Sequence, residues 1–184
     1  MKEFQPSRIF NYFFTRVLEG SPIDEDTGVT IRGSLKSIRK YGVCSENNLG
    51  YDISKFHLMP NENCKKAAKQ HTQGFQFLNV AQNIVSIKQA ILHGPVIIGI
   101  QIYNSFEKDE TLKTGDIPMP NTSLETRLGG HCVALYGWDD NSKTFNVMNS
   151  WGFSVGKSGW FTIPYDYVLD PKLASDFWYV TYFK

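Results

Sequence analysis

The 184 residues suffice for one unit with a substantial core, and 41% hydrophobic and 14% aromatic content without low-complexity runs or internal repeats excludes a disordered chain or a solenoid. Nineteen Lys and Arg against eighteen Asp and Glu leave a net charge of +1 with no long block of either sign, so the electrostatic footprint of a nucleic-acid binder is missing. The longest apolar stretch, GPVIIGIQIY from Gly94 to Tyr103, is too short to cross a bilayer, and MKEFQPSRIF lacks the apolar core and small-residue cleavage site of a signal peptide, so no membrane partner is expected and the compartment stays open.

Along the chain, Pro6 and Ser7 open a predicted helix over SRIFNYFFTRVLEG, stopped by Gly20. Its apolar set, Ile9, Phe10, Phe13, Phe14, Val17 and Leu18, covers more than one face and asks for partners on two sides. TIRGSLKSIRKYG places Ile31, Leu35 and Ile38 at helical spacing, with Gly42 as a left-handed stop. A loop through GVCSENNLGYD leads to a short polar helix near ENCKKAAKQ, and GFQFLNV reads as a strand. Asn83 caps a third long helix, NIVSIKQAILHG, with Ile84, Ile87 and Ile91 inward; Gly94-Pro95 ends it and launches VIIGIQIY.

From there the period is two. Residues 104–128 show no periodicity and are expected to form a long loop. The segments HCVALYGW, TFNVMNSW, GWFTIP and DFWYVTYF, joined by turn residues and a short YDYVLDP turn or helix, predict a small antiparallel barrel or a strongly coiled sheet.

His131 comes directly after Gly129 and Gly130, and Asn149 lies 18 positions later with a turn between them, so the two can face each other across adjacent strands. A side-chain amide oxygen accepting from one imidazole nitrogen fixes the tautomer and aims the other nitrogen at a thiol. With GGHCVALYGWDD, FNVMNSWG and GKSGWFTIPYDY, and with DTGVTIRGSLKSIRKYGVCSE and GPVIIGIQIYNSF before them, the chain resembles the papain-like cysteine peptidases of compact bacterial and viral type over nearly its whole length.

The resemblance implies an α+β, two-lobed fold: residues 1–75 as the remainder of a helical lobe and 76–184 as a β-rich, barrel-like lobe, together one papain-like unit. It also implies roles. His131 would be general base and imidazolium partner of a thiolate, Asn149 would orient it, and Trp151 would shield their hydrogen bond from water. Gly129 and Gly130 would let a substrate backbone approach closely. Gly28 would stand for the glycine pair that binds an extended peptide by main-chain hydrogen bonds, although the second glycine of that pair is here Thr27 or Val29.

The family's nucleophilic cysteine, in a Cys-Gly-Ser-Cys-Trp-like context preceded by an oxyanion glutamine, has no counterpart before His131, and residues 1–20 resemble the stretch that comes after the nucleophile's helix. The expectation is therefore that the nucleophile is none of this chain's residues, that the chain alone is inactive, and that the first helix leaves aromatic faces uncovered. Its three cysteines do not substitute. Cys132 adjoins His131 on a strand and points the other way, Cys44 has no activating cation, and Cys64 lies in a lysine-rich segment with nothing to bring it to His131. Cys44 and Cys64 are read either as a disulfide or as two free, partly buried thiols. No cofactor is called for, and His57, His71 and His93 are too scattered for a metal. The functions left are the His/Asn-bearing portion of a cysteine peptidase, with peptide or protein as substrate and a Cys-bearing segment or chain as partner, a peptide-binding or regulatory pseudoenzyme, or the product of a truncated reading frame.

Overall fold

The structure is a computed structural model that describes residues 4–72 and 74–182. The chain divides into two compact units, Met1–Phe77 with Thr181–Lys184, and Leu78–Val180.

The first unit is helical. Helix α1 (Arg8–Glu19) starts where Ser7 Oγ accepts the Phe10 N–H and ends at Gly20, whose φ of 71° and ψ of 20° make the left-handed stop. Helix α2 (Ile31–Tyr41) is capped by Thr30 and α3 (Glu62–Ala68) by Asn61, each side chain accepting a backbone N–H from the first turn. Leu35 is buried, while Ile31 and Ile38 are half-buried. Gly42 ends α2 with φ 74° and ψ −163°, which is not the expected left-handed conformation. Glycine is needed there for space as well as for its positive φ, because a β-carbon would lie 1.8 Å from the Ala68 carbonyl oxygen of α3.

The aromatic face of α1 is covered, contrary to expectation. Ile9, Phe10 and Phe13 are at most 2% exposed, and Phe10 packs with Val43, Cys44, Cys64 and Ala68, backed by Phe14, Tyr41 and Leu49. The buried face is rotated from the predicted one: Val17 is 43% exposed and Arg16 is fully buried. An arginine goes inside here because carbonyl oxygens and aromatic rings of the same unit receive its guanidinium.

The second unit holds most of a sheet whose first strand starts, and whose last strand ends, in residues of the first unit. Strands β1 (Phe75–Asn79), β2 (Val96–Tyr103), β3 (Arg127–Asp139), β4 (Thr144–Met148), β5 (Trp160–Pro164) and β6 (Ala174–Tyr182) are ordered β1-β6-β2-β3-β4-β5, with β2–β3, β2–β6, β3–β4 and β4–β5 antiparallel. This is the open order of a sheet; among the described residues β1 and β5 are its two ends. β6 begins two residues before the predicted last strand, whose final residue, Phe183, lies outside the described residues.

Alternation in β2 buries Val96, Ile98, Ile100 and Ile102 against Val133 and Leu135 of β3 and Phe145 and Val147 of β4, one continuous core. Helix α4 (Ile84–Ile91), capped by Asn83 as predicted, adds Ile87 and Ile91 to it. Residues 104–128 are not all loop. A 3₁₀ turn over Asn104–Glu107 and a helix α5 (Asp109–Thr114) stop at Gly115, and Glu125 closes the remainder by accepting the backbone N–H groups of Ser105 and Asn121 at 2.8 Å each. The last helix, α6 (Tyr165–Leu169), joins β5 to β6.

Candidate active site

The site is assembled from the ends of two buried rows. On β3 the inward residues Val133 and Leu135 are preceded, two positions earlier, by His131, which pairs with Ile100 of β2. On β4 the inward residues Phe145 and Val147 are succeeded, two positions later, by Asn149, one residue past the strand. Leu135 faces Val147 in this register, so Asn149 comes opposite Val133 and diagonal to His131. A pleated sheet thus carries both side chains to the same face.

His131 Nε2 lies 2.8 Å from Asn149 Oδ1. The same oxygen accepts the Ser150 backbone N–H at 2.8 Å. A backbone N–H only donates, so the amide atom it meets is the carbonyl oxygen, and the imidazole nitrogen sharing that oxygen must carry the proton. The neutral ring is therefore the Nε2–H tautomer, with its lone pair on Nδ1. The Asn149 backbone N–H donates to Gly159 O at 3.2 Å, which ties the carboxamide to the loop before β5.

Two aromatic rings stand against the pair. Trp151 lies 5.2 Å from the His131 ring, and Phe106 lies 5.9 Å from His131 and 5.3 Å, edge-on, from Trp151. Phe106 is 1% exposed and stacks on Phe161. Asn149 Nδ2 is buried, with no hydrogen-bond acceptor among the described residues. Trp151 itself is 36% exposed, so that side of the pair faces solvent, while Phe106 forms its buried side. Phe106 was not legible as a site residue; its one sequence signal is an aromatic in an aperiodic segment.

The glycines before His131 differ in kind. Gly129 has φ +151°, a conformation L side chains rarely adopt, next to an irregularity where β2 pairs with β3. Gly130 needs no unusual backbone, and a β-carbon on either residue would meet nothing within 4 Å. Both therefore present open backbone beside His131. Gly28 belongs to the first unit, with φ +71° and open space where a β-carbon would sit, and its N–H donates to Tyr12 Oη at 3.1 Å.

The cysteines are all free. Cys44 and Cys64 are 0% and 2% exposed; burial first, and then the neighbouring Cys64, push the Cys44 thiol up to about 12. Cys64 Sγ donates to Asn48 O at 3.4 Å. Cys132 is exposed and alternates to the face opposite His131. The structure thus brings His131, Asn149 and Trp151 together, and among the described residues no three His, Cys, Asp or Glu side chains gather in a metal-holding group.

A sheet that sets an imidazole against a carboxamide beside two aromatic rings, with open glycine backbone just before it, fits a papain-like fold. The model of the papain family of cysteine proteases matches residues 26–180, and the chain belongs to that family. It is 43% identical over 185 residues to the uncharacterized peptidase C1-like protein L477 of Acanthamoeba polyphaga mimivirus, a match covering 96% of this chain and 59% of that protein. It is 33% identical over 99 residues to a gut-specific cysteine proteinase of Caenorhabditis elegans, covering 52% of this chain and 28% of the proteinase. The chain thus spans about three fifths of the viral relative's length and less than a third of the nematode one's. Among solved structures, xylellain, a cysteine protease from Xylella fastidiosa, superposes with a TM-score of 0.90 at 33% identity over 100% of this chain and 72% of its own.

Proposed function

We propose that this chain carries the His–Asn part of a cysteine peptidase acting on peptide or protein substrates, and that the thiolate it serves is none of its own three cysteines. The observation that carries the reading is the doubly bonded Asn149 Oδ1, which leaves His131 Nδ1 as the free base. Two buried thiols, one raised and one already donating to a carbonyl, and a third on the wrong face of β3 support the second half.

In this reading Nδ1 takes the proton of an incoming thiol and forms a thiolate–imidazolium pair. The thiolate attacks the scissile carbonyl carbon, and the imidazolium protonates the leaving amine as the C–N bond breaks. Neutral His131 then deprotonates the water that hydrolyses the thioester. Throughout, Nε2–H keeps its bond to Asn149, so the ring is held while Nδ1 cycles. Phe106 keeps water from the buried side of that bond. Gly129 and Gly130 offer backbone to the substrate beside the base, and Gly28 is read as a second main-chain contact.

Purified chain in dithiothreitol is expected to give no turnover of a fluorogenic dipeptide and no labelling by a thiol-directed epoxide. The same residues expressed together with a Gln-Gly-x-x-x-Ser-Cys segment are expected to give both. Turnover by the chain alone would assign the nucleophile to Cys44, Cys64 or Cys132 and overturn the proposal. Folded but inactive protein with the segment in place would instead make it a peptide-binding pseudoenzyme.

A further inference from the structure

Segment 21–30 of the first unit has no regular secondary structure, yet its backbone is organised around one side chain. Arg16, fully buried on α1, donates through Nη1 to Ile23 O at 2.7 Å and Glu25 O at 2.9 Å, with Pro22 O at 3.4 Å, and through Nη2 to Phe56 O at 2.5 Å. Its guanidinium lies 4.4 Å from the Tyr12 ring centre and 4.8 Å from that of Phe56, while Nε has no acceptor among the described residues. Among the described residues no carboxylate is in ion-pair distance of it, although Asp24, Glu25 and Asp26 all lie on the segment it holds. The charge is satisfied by carbonyl oxygens and rings instead. Such a cation needs those carbonyls turned inward, so it dictates the path of the chain that carries them.

That path ends at Gly28. The Tyr12 ring, stacked on Arg16, aims its hydroxyl at Asp26 Oδ1, to which it donates, and the hydroxyl oxygen in turn accepts the Gly28 N–H at 3.1 Å. Gly28 itself has open space around its α-carbon, so nothing packed on it fixes its backbone. Two hydrogen bonds hold it: Tyr12 Oη accepts its N–H, and Thr27 Oγ1 donates to its carbonyl oxygen at 3.3 Å.

We infer that Arg16 and Tyr12 are positioning residues: Arg16 shapes residues 22–25, and Tyr12, held on Arg16, takes up the Gly28 N–H and so fixes the Thr27–Gly28 peptide plane, leaving the carbonyl side of Gly28 to meet an extended peptide in one orientation. The inference rests on the reading of Gly28 as a main-chain contact for peptide. It goes beyond that reading by making the contact depend on two buried or half-buried side chains of α1 that do not themselves touch the peptide.

The test uses the full chain, amide-resolved NMR and titration with a blocked, extended tetrapeptide. Tyr12→Phe keeps the ring on Arg16 and removes only the hydroxyl. It is expected to leave the melting temperature unchanged, to accelerate hydrogen exchange at Gly28 about fivefold to tenfold, and to weaken the tetrapeptide about threefold or more, the scale of one lost hydrogen bond. Arg16→Lys, which keeps the charge but not the fork, should spread the faster exchange over residues 23–28. Gly28 exchange and tetrapeptide affinity both unchanged in Tyr12→Phe would overturn the inference even if Arg16→Lys fails to fold. Failure of the underlying reading looks different: in the unsubstituted chain the tetrapeptide would shift resonances near His131 and leave those of residues 26–30 in place.

Discussion

Replacing His131 by alanine, in a chain supplied with its thiolate, is expected to lower kcat/KM for a peptide substrate by about a thousandfold or more. The imidazole is asked to take a proton from the thiol, give it to the leaving amine, take another from water and return it to the sulfur, and among the described residues no other titratable side chain shares the Asn149 oxygen. Asn149→Ala removes the acceptor but leaves the base. The ring can then turn and exchange tautomers, and a misplaced base costs about a hundredfold or less. The order of the two losses is the informative part. Steady-state kinetics on the two variants checks it, and a rate unaffected by His131→Ala would refute the assignment of the base.

Phe106→Ala is expected to cost about 3 to 5 kcal/mol of stability, a fall in Tm of roughly 10 °C for a chain of this size. Phe106 is 1% exposed and fills the space between Phe161 of the core and the rings of His131 and Trp151. Truncation leaves a cavity directly beneath the imidazole–carboxamide bond, so stability and activity should fall together. Phe106→Leu, which restores most of the volume, should recover most of the Tm and less of the rate, because a branched aliphatic chain lacks the edge-to-face contact with Trp151. Thermal melts alongside kinetics separate the two effects; equal recovery of both would show that Phe106 acts only as filler.

That His131 and Asn149 would meet on one face was readable because the signal is local. Glycines, a histidine, alternation of period two and a turn place two side chains on one face, and the two strands carry that pattern without interruption from His131 to Leu135 and from Phe145 to Asn149. Helix α5 was not readable, since Asp109–Thr114 offers one short charged turn and no apolar stripe; its stop at Gly115 is set by contact with the Trp160 carbonyl, 2.6 Å from where a β-carbon would be. Hydrophobic spacing likewise puts Val17 inside α1 and says nothing of Arg16. Spacing cannot foresee that a charge will be buried when three main-chain carbonyls, brought by residues 7, 9 and 40 positions further on, come to meet it. The cysteines show the same limit: both a bridge and free thiols were open for Cys44 and Cys64, and the structure has them free.

The roles given to His131 and Asn149 depend most on which ring nitrogen carries the proton when the imidazole is neutral. Nitrogen-15 NMR of histidine-labelled chain, at a pH where the ring is neutral, measures this directly. A protonated Nε2 with an unprotonated Nδ1, the preference disappearing in Asn149→Ala, is the predicted result. An Nδ1–H tautomer, or a ring whose tautomer ignores Asn149→Ala, would contradict it.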